Sequence, residues 1–257
     1  MSININGIKY IPFSKKTKTN CFISVCNKYF LKQFKNKRCY SREYKVTKMM
    51  QDNKDFIPIL DNFYKDYKYY VKYPYYSNSR DLYEMIINSK ITNKQVNQIF
   101  YECIKPIKKL HEHNFIHLDI KPDNYMCINE DINNIKIIDL EYCQKIHDDN
   151  LNENNLQTLI HKRGTLSYVS PEVLKGYTGY KTDVWNLGIL YYMLKKKSFP
   201  YSQNRIERRD YVKKYSLKIN ANDDKNLLDI LDMTIVRYDK RCSLDELMNY
   251  VEREVLI

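Results

Sequence analysis

Glycine is scarce in this sequence. Five occur among 257 residues, at positions 7, 164, 176, 179 and 188. None lies between 8 and 163, so a glycine-rich phosphate-binding loop has no glycine to draw on in the first half of the chain. Long apolar runs are absent too. No stretch approaches the roughly 20 residues a bilayer span requires, and Met1–Phe13 lacks a basic segment followed by an apolar one, so neither a membrane span nor a secretory leader is expected. The seven cysteines are odd in number and contain no C-x-x-C pair. That argues against a disulfide framework and a structural zinc site, and for small buried residues in a reducing, cytoplasmic setting.

Charge is not scarce. Forty-three Lys and Arg against 31 Asp and Glu leave a net +12. The basic stretches Lys15–Lys18, Lys32–Arg38 and Lys195–Lys197 are short and scattered, with no zinc-finger or basic-zipper pattern. No specific nucleic-acid partner is expected, because net charge alone reports non-specific association. Apolar periodicity divides the chain in two. Residues 8–13, 21–34, 56–60 and 67–73 read as strands, with 21–26 and 29–34 a hairpin turning at Asn27-Lys28, and 40–51 reads as a helix. Pro74–Asn78 reads as a linker. Beyond it helices dominate: 92–113 capped by Thr92, then 183–195, 205–216, 226–233 and 243–255, with a short strand at 135–138 and a polar loop at 148–155. The expected fold class is α+β, a small strand-rich part of about 75 residues joined to a larger helical part.

The chemistry concentrates in His117-Leu-Asp-Ile-Lys-Pro-Asp-Asn124, with Asp139 fifteen residues beyond Asn124 and directly after the strand 135–138. A carboxylate to orient a hydroxyl, a cation to neutralise a moving phosphoryl group and two oxygen ligands for magnesium are the residue types phosphoryl transfer needs. These residues resemble the catalytic loop H-R-D-x-K-x-x-N and the metal loop D-F-G of the eukaryotic protein kinase family, serine/threonine branch. Three further segments carry the resemblance: Gly164-Thr-Leu-Ser-Tyr-Val-Ser-Pro-Glu172, Asp183-Val-Trp-Asn-Leu-Gly188 and Asp239-Lys-Arg241. It spans roughly residues 10–250 and implies one bilobal kinase domain over 1–257, with an N-lobe at about 8–73, a hinge at about 72–78 and a C-lobe at about 79–257.

The resemblance assigns roles residue by residue. Asp119 is the expected catalytic carboxylate and Lys121 the contact to the transferring phosphate, while Asn124 and Asp139 hold Mg2+. Lys32, in Phe30-Leu31-Lys32, is the expected ATP-phosphate lysine, with Glu43 its helical partner. Cys21 and Phe30 line the roof over adenine and Met126 the floor, and backbone groups of 72–74, including Tyr73, meet the base. Glu172 and Arg241 form a buried ion pair, and Asp183 anchors the catalytic-loop backbone. The implied activity is ATP- and Mg2+-dependent transfer to protein serine or threonine, by a monomer. His161-Lys-Arg163 beside the substrate-facing loop favour acidic sites.

Four departures stand against the pattern. The nucleotide lid maps to Ser14-Lys-Lys-Thr-Lys-Thr-Asn20, with Ser14, Lys16 and Thr19 where glycines belong. Phe30 replaces a small residue over the adenine. Leu118 replaces the arginine that reads a phosphate on the activation segment through a bidentate charge pair. Glu141 replaces the metal-loop glycine and adds negative charge beside the magnesium site. Two readings therefore stand: an active kinase with a degraded nucleotide lid, or a pseudokinase serving as a protein-binding module. Retention of Lys32, Asp119, Asn124 and Asp139 favours the first.

Overall fold

A computed structural model of the chain describes residues 2–13, 21–34, 36–160, 164–201 and 223–256. The helix expected at 205–216 lies outside them. The strand-rich part is one antiparallel sheet of six strands, in chain order except that the last two exchange places, so that the fifth lies at the edge. It begins earlier than residue 8. β1 (Ile3–Ile5) pairs with β2 (Ile8–Pro12) across Asn6-Gly7, both at positive φ (49° and 78°). An Asn-Gly step between alternating isoleucines is a strong hairpin signal, and it was legible in the sequence.

β3 (Cys21–Ser24) and β4 (Tyr29–Phe34) form the expected hairpin with a longer connection, residues 25–28. The hydroxyl of Ser24 accepts from the amides of Lys28 (3.2 Å) and Tyr29 (3.0 Å), so it ends the strand two residues early. After α1 (Lys37–Met50), the apolar run 56–60 is not a named strand. Pro58 has no N–H to give a ladder, and only Phe56 bridges, to Ile137. The pairing falls to β5 (Asp61–Lys65), which turns through Asp66 and Tyr67 into β6 (Lys68–Pro74).

Alternation along the strands sets the sheet's two faces. Leu31 and Tyr70 pack with Ile5, Tyr10 and Phe22 on one side. Phe34, Val71 and Tyr73 pack on the other, with Phe30, Tyr40 and Tyr44 against them. Lys32, between Phe30 and Phe34, therefore faces the helix side.

The helical part opens with β7 (Arg80–Asp81), α2 (Leu82–Asn88) and α3 (Asn93–Glu112). Thr92 and Gln95 cap α3 reciprocally. Val96, Ile99, Phe100, Cys103, Ile104, Ile107 and Leu110 form its buried stripe as the spacing predicts. Each contributes about 1.5–3 kcal/mol if large and apolar. β8 (Phe115–Ile116), β9 (Tyr125–Cys127), β10 (Ile135–Ile137), β11 (Gln144–Lys145) and β12 (Gln157–Thr158) are short ladders around the loops. Then come α4 (Pro171–Leu174), β13 (Tyr177–Thr178) and α5 (Tyr180–Lys196). Thr182–Leu194 of α5 is buried throughout, which is why its hydrophobicity shows no single face. Helices Lys225–Thr234 and Leu244–Tyr250 complete the packing, the latter capped by Ser243 and Glu246 and followed by a π turn to Val255. The architecture is thus α+β and bilobal, as expected. No helix among the described residues is long and apolar enough to cross a membrane.

Gly188 sits in the middle of α5 because nothing larger fits. A Cβ there would collide with Thr234 Oγ1 and lie 2.8 Å from Ile235 Cδ1. Thr234 cannot move aside freely, since its hydroxyl donates to the Ile230 carbonyl at 2.6 Å. A mid-helix Gly→Ala change ordinarily stabilises by roughly 0.5–1 kcal/mol. Here overpacking reverses the sign. Gly188→Ala is expected to destabilise the fold by about 1–3 kcal/mol, read as a lower urea midpoint with unchanged slope.

Candidate active site

The site lies where the sheet's helix-facing side meets the loops after α3. α1 buries Glu43, Val46, Thr47 and Met50, one stripe at i, i+3, i+4 and i+7. A carboxylate in that stripe needs a partner, and the strand alternation supplies one. Lys32 Nζ donates to Glu43 Oε2 at 2.5 Å and to Asp139 Oδ1 at 2.9 Å. The Tyr73 hydroxyl donates to Glu43 Oε1 at 2.9 Å. Burial pushes Glu43 up to about 7, with Lys32 pulling the other way. Burial also pushes Asp139 up, but Lys32 outweighs it by charge and hydrogen bond and holds Asp139 below its ordinary value. Burial lowers Lys32, and the charges of Asp139 and Glu43 outweigh that and hold its ammonium protonated. One cation thus serves two carboxylates. Asp139 takes the ionised role, and Glu43 is left closer to neutral.

The catalytic-loop geometry is set from α5. Asp183, fully buried, accepts from the backbone N–H of His117 (2.8 Å) and of Leu118 (3.0 Å), while His111 Nε2 lies 2.9 Å away. Leu118 is thereby held at φ 68°, a left-handed conformation unusual for a branched side chain. The imidazole of His117 is fully buried, and that burial lowers its pKa and keeps it neutral. Its Nδ1 accepts from the Asp119 N–H at 3.2 Å. Asp119 then gathers the remaining groups. Its Oδ1 accepts from Thr165 N–H (2.7 Å) and Thr165 Oγ1 (2.8 Å). Its Oδ2 accepts from Lys121 Nζ (2.6 Å) and Asn124 Nδ2 (3.0 Å). Lys121 Nζ also donates to Thr165 Oγ1 at 2.7 Å. Gly164 makes this approach feasible, since at φ 86° an added Cβ would lie 2.7 Å from the Leu118 carbonyl oxygen.

Asn124 is fixed by a second bond from Nδ2 to the Asp119 carbonyl, at 2.7 Å. Both of these bonds use the amide nitrogen, so Oδ1 is turned away from Asp119. The Asn124 carbonyl accepts from Ile138 N–H at 2.8 Å, which clamps this loop to the residue before Asp139. An amide oxygen and a carboxylate are hard oxygen donors of the kind magnesium takes, so Asn124 and Asp139 fit a divalent cation. Glu141 adds a third carboxylate. One oxygen each from Glu141, Glu43 and Asp139 lie within 4.8 Å of one another. Burial and then the Asp139 charge push the Glu141 carboxyl up. The backbone carbonyl of Glu141 accepts from Arg42 Nη1 of α1 at 2.7 Å, and Leu140 fills the core.

The expected nucleotide-facing residues divide. Phe30, Met126, Ile138 and Tyr76 all pack on the Val71–Tyr73 cluster. Phe30 meets Phe13 edge-on at 5.6 Å. Cys21 is buried opposite Lys32 in the ladder. Tyr73 is placed differently from expectation. Its register partner is Phe30, and the Tyr75 N–H already goes to the Lys28 carbonyl. By antiparallel alternation its backbone belongs to the ladder, and its side chain supports Glu43 instead. The sequence missed that role, although a Tyr two residues after buried Val71 shares the Lys32 face. Lys72 is likewise engaged, its carbonyl accepting from Leu60. Ser14, Lys16, Thr19 and His161–Arg163 lie outside the described residues.

Elsewhere in the helical part, Arg241 and Glu172 meet as a buried fork, at 2.8 and 3.2 Å, and Arg241 also donates to the Lys181 and Val236 carbonyls. The family model of the protein kinase domain matches residues 13–251. Over 127 residues the chain is 35% identical to serine/threonine-protein kinase shk2 of Schizosaccharomyces pombe, which covers 49% of this chain and 20% of that protein. Over 167 residues it is 30% identical to striated muscle preferentially expressed protein kinase of Danio rerio, covering 64% of this chain and 5% of that protein. The matched part is thus a fifth or less of these relatives. With the family model spanning almost the whole chain and the two-lobed architecture around Lys32, Asp119, Asn124 and Asp139, the chain belongs to the protein kinase domain family.

Proposed function

We propose that the chain is an active serine/threonine protein kinase, one kinase domain whose N-lobe sheet gives way to the helical C-lobe in the stretch between β6 and β7. The observation that carries this reading is the joint constellation at Asp119. A single carboxylate is bonded to Lys121, Asn124 and Thr165, and the Lys32–Glu43–Asp139 chain stands ready beside it. Lys32, Asp119, Lys121 and Asp139 all keep charged partners in this arrangement.

In this reading ATP, with magnesium, supplies the phosphoryl group and the charge neutralisation for its transfer. Asn124 and Asp139 are the residues that would hold the metal, and Lys32 the one that meets phosphate oxygens. Asp119 orients the incoming hydroxyl and accepts its proton; the neutral His117 beneath holds the loop without competing for that proton. Lys121, already 2.6 Å from Asp119, carries positive charge to where negative charge develops. The bond from Lys121 to Thr165 brings the substrate-facing loop against the same carboxylate, which suits a serine or threonine hydroxyl on a protein substrate. The relative of Schizosaccharomyces pombe, a serine/threonine-protein kinase by name, supports that branch.

A binding module without transfer activity is the second reading. Phe30 favours it, since a phenyl ring edge-on to Phe13 stands where the adenine roof is expected. Thermal unfolding with ATP and Mg2+ separates the two. A nucleotide at one hundred times its Kd stabilises by about 2.7 kcal/mol, so a rise in Tm of roughly 5–10 °C is expected for a chain of this size, and it should shrink when Mg2+ is replaced by EDTA. No shift, together with no radiolabel transfer to protein substrates, selects the binding module.

Asp119→Asn tests the assignment of the carboxylate. Its remaining oxygen can keep the bonds to Thr165, while the new NH2 faces the donors Lys121 and Asn124. A loss of about 1–3 kcal/mol in stability is expected from that mismatch, with the fold retained by circular dichroism. The transfer rate should fall by at least about 10²-fold; a variant as active as the parent would assign the role elsewhere.

A further inference from the structure

We propose that Gln144 and Gln157 are positioning residues that, with an apolar plug built on Leu118, hold residues 144–160 in the substrate-ready arrangement without any phosphate. The inference rests on the kinase reading above and adds the device that positions its activation segment.

The segment leaves Asp139 and returns at Thr165 in two stretches anchored to different elements. β11 pairs with β8, and the Ile146 N–H donates to the Asn114 carbonyl at 2.7 Å. β12 pairs with β13, and the Leu159 N–H donates to the Gly176 carbonyl at 2.8 Å. β11 and β12 belong to separate sheets, so backbone pairing does not join the stretches. Two buried side chains do. Gln144 Nε2 donates to the Thr158 carbonyl (3.2 Å), and Gln144 Oε1 accepts from Ile160 N–H (3.2 Å). In the opposite direction Gln157 Nε2 donates to the Lys145 carbonyl (2.8 Å), and Gln157 Oε1 accepts from His147 N–H (3.2 Å). Each amide spans one carbonyl and one N–H two residues apart, as a neighbouring strand would. Between the two stretches the chain turns back on Asn152, whose Oδ1 accepts from Asn154 and Leu156.

Under this clasp lies the plug. Leu118, Ile116 and Ile146 form a buried cluster, with Tyr142, Leu151, Leu159 and Tyr180 packed on it. Leu118 is 5% exposed. In the family pattern an arginine at this position draws in a phosphorylated segment by charge. Here the position is apolar, and Tyr142, Ile146, Leu151 and Leu159 of the segment share its cluster with Ile116 and Tyr180. A phosphate dianion driven into it would lose its hydration without compensation. Neutral amides and apolar contacts do not depend on a modification state, so the segment is ordered as synthesised.

The test uses the full chain, treated with phosphatase and shown by intact mass to carry no phosphate. Hydrogen exchange is followed over 142–160. The amides of Ile146, His147, Leu159 and Ile160 are expected to exchange at least tenfold slower than unstructured reference peptides. In Gln144→Leu/Gln157→Leu that protection should fall at least tenfold, with exchange in α3 and α5 unchanged. Gln157→Asn, too short to span the gap, serves as the milder variant if the double one misfolds. Where transfer is measurable, KM for the protein substrate should rise about fivefold with KM for ATP unchanged; equal change in both would mark a merely structural role and overturn the proposal. Protection that appears only after phosphorylation, or that survives loss of both glutamines, would also overturn it. A phosphate-free chain with a protected segment but no transfer would refute the kinase reading and leave the clasp standing.

Discussion

One buried carboxylate, Asp183, fixes the shape of the catalytic loop. It lies 65 and 66 residues from the two amides it receives, those of Leu118 and His117, so the form of the loop depends on the docking of α5. The desolvation of this carboxylate is offset by those two N–H groups and His111, because a buried charge without donors is costly. What the bonds secure is the left-handed turn at Leu118. That turn presents Asp119 with its side chain toward Thr165, Lys121 and Asn124, and it leaves the Leu118 carbonyl where only a glycine at 164 can pass.

The same logic runs through the other lobe with the signs exchanged. Lys32 is a buried cation on a strand, and its partners come from α1 and from the metal loop. Because it bonds to both Glu43 and Asp139, it couples the position of α1 to that of Asp139. Arg42, one residue before Glu43, adds a second tie through the Glu141 carbonyl. α1 is therefore attached to the metal loop twice, once by charge and once by a backbone bond. Glu141 brings its carboxylate close to those of Glu43 and Asp139. Three acidic groups around one ammonium is an unbalanced arrangement, and a divalent cation on Asn124 and Asp139 would restore the balance.

Much of this was legible in the sequence, and the reason differs from place to place. The stripe of α3 and the Thr92 cap were readable because periodicity and capping are local properties of the chain. The pairs Lys32–Glu43 and Glu172–Arg241 were readable only through the resemblance, since nothing local joins residues 11 or 69 apart. The strand β5 was hidden by its own composition. Asp61–Lys65 is polar because the strand lies at the sheet's edge, and the apolar run before it drew attention away. Tyr73 was misread because its place depends on register, which is a property of two strands at once. The glutamine clasp left no trace of its kind, since a lone Gln in a loop is unremarkable until the opposite stretch is placed beside it.

Glycine scarcity acquires a physical consequence at the site. Positive φ is adopted by Leu118 (68°), a bulky residue for which it is costly, and by Asp139 (63°), whose short polar side chain lessens the cost. Such conformations cost on the order of 1–3 kcal/mol each and persist only where the surroundings over-determine them. Both are over-determined here, Leu118 by Asp183 beneath and the plug above, Asp139 by Lys32 and by the clamp between Asn124 and Ile138. By contrast, Asn6, Asn27 and Asn129 take positive φ in turns, where asparagine tolerates it at small cost. Tyr67, Glu130 and Lys197 take it as well, in turns away from the site; what distinguishes Leu118 and Asp139 is that the interactions holding them are the ones that fix Asp119 and Asp139 in place. A loop of low strain could relax in several directions; one pinned against its own preference has a single arrangement to offer a substrate.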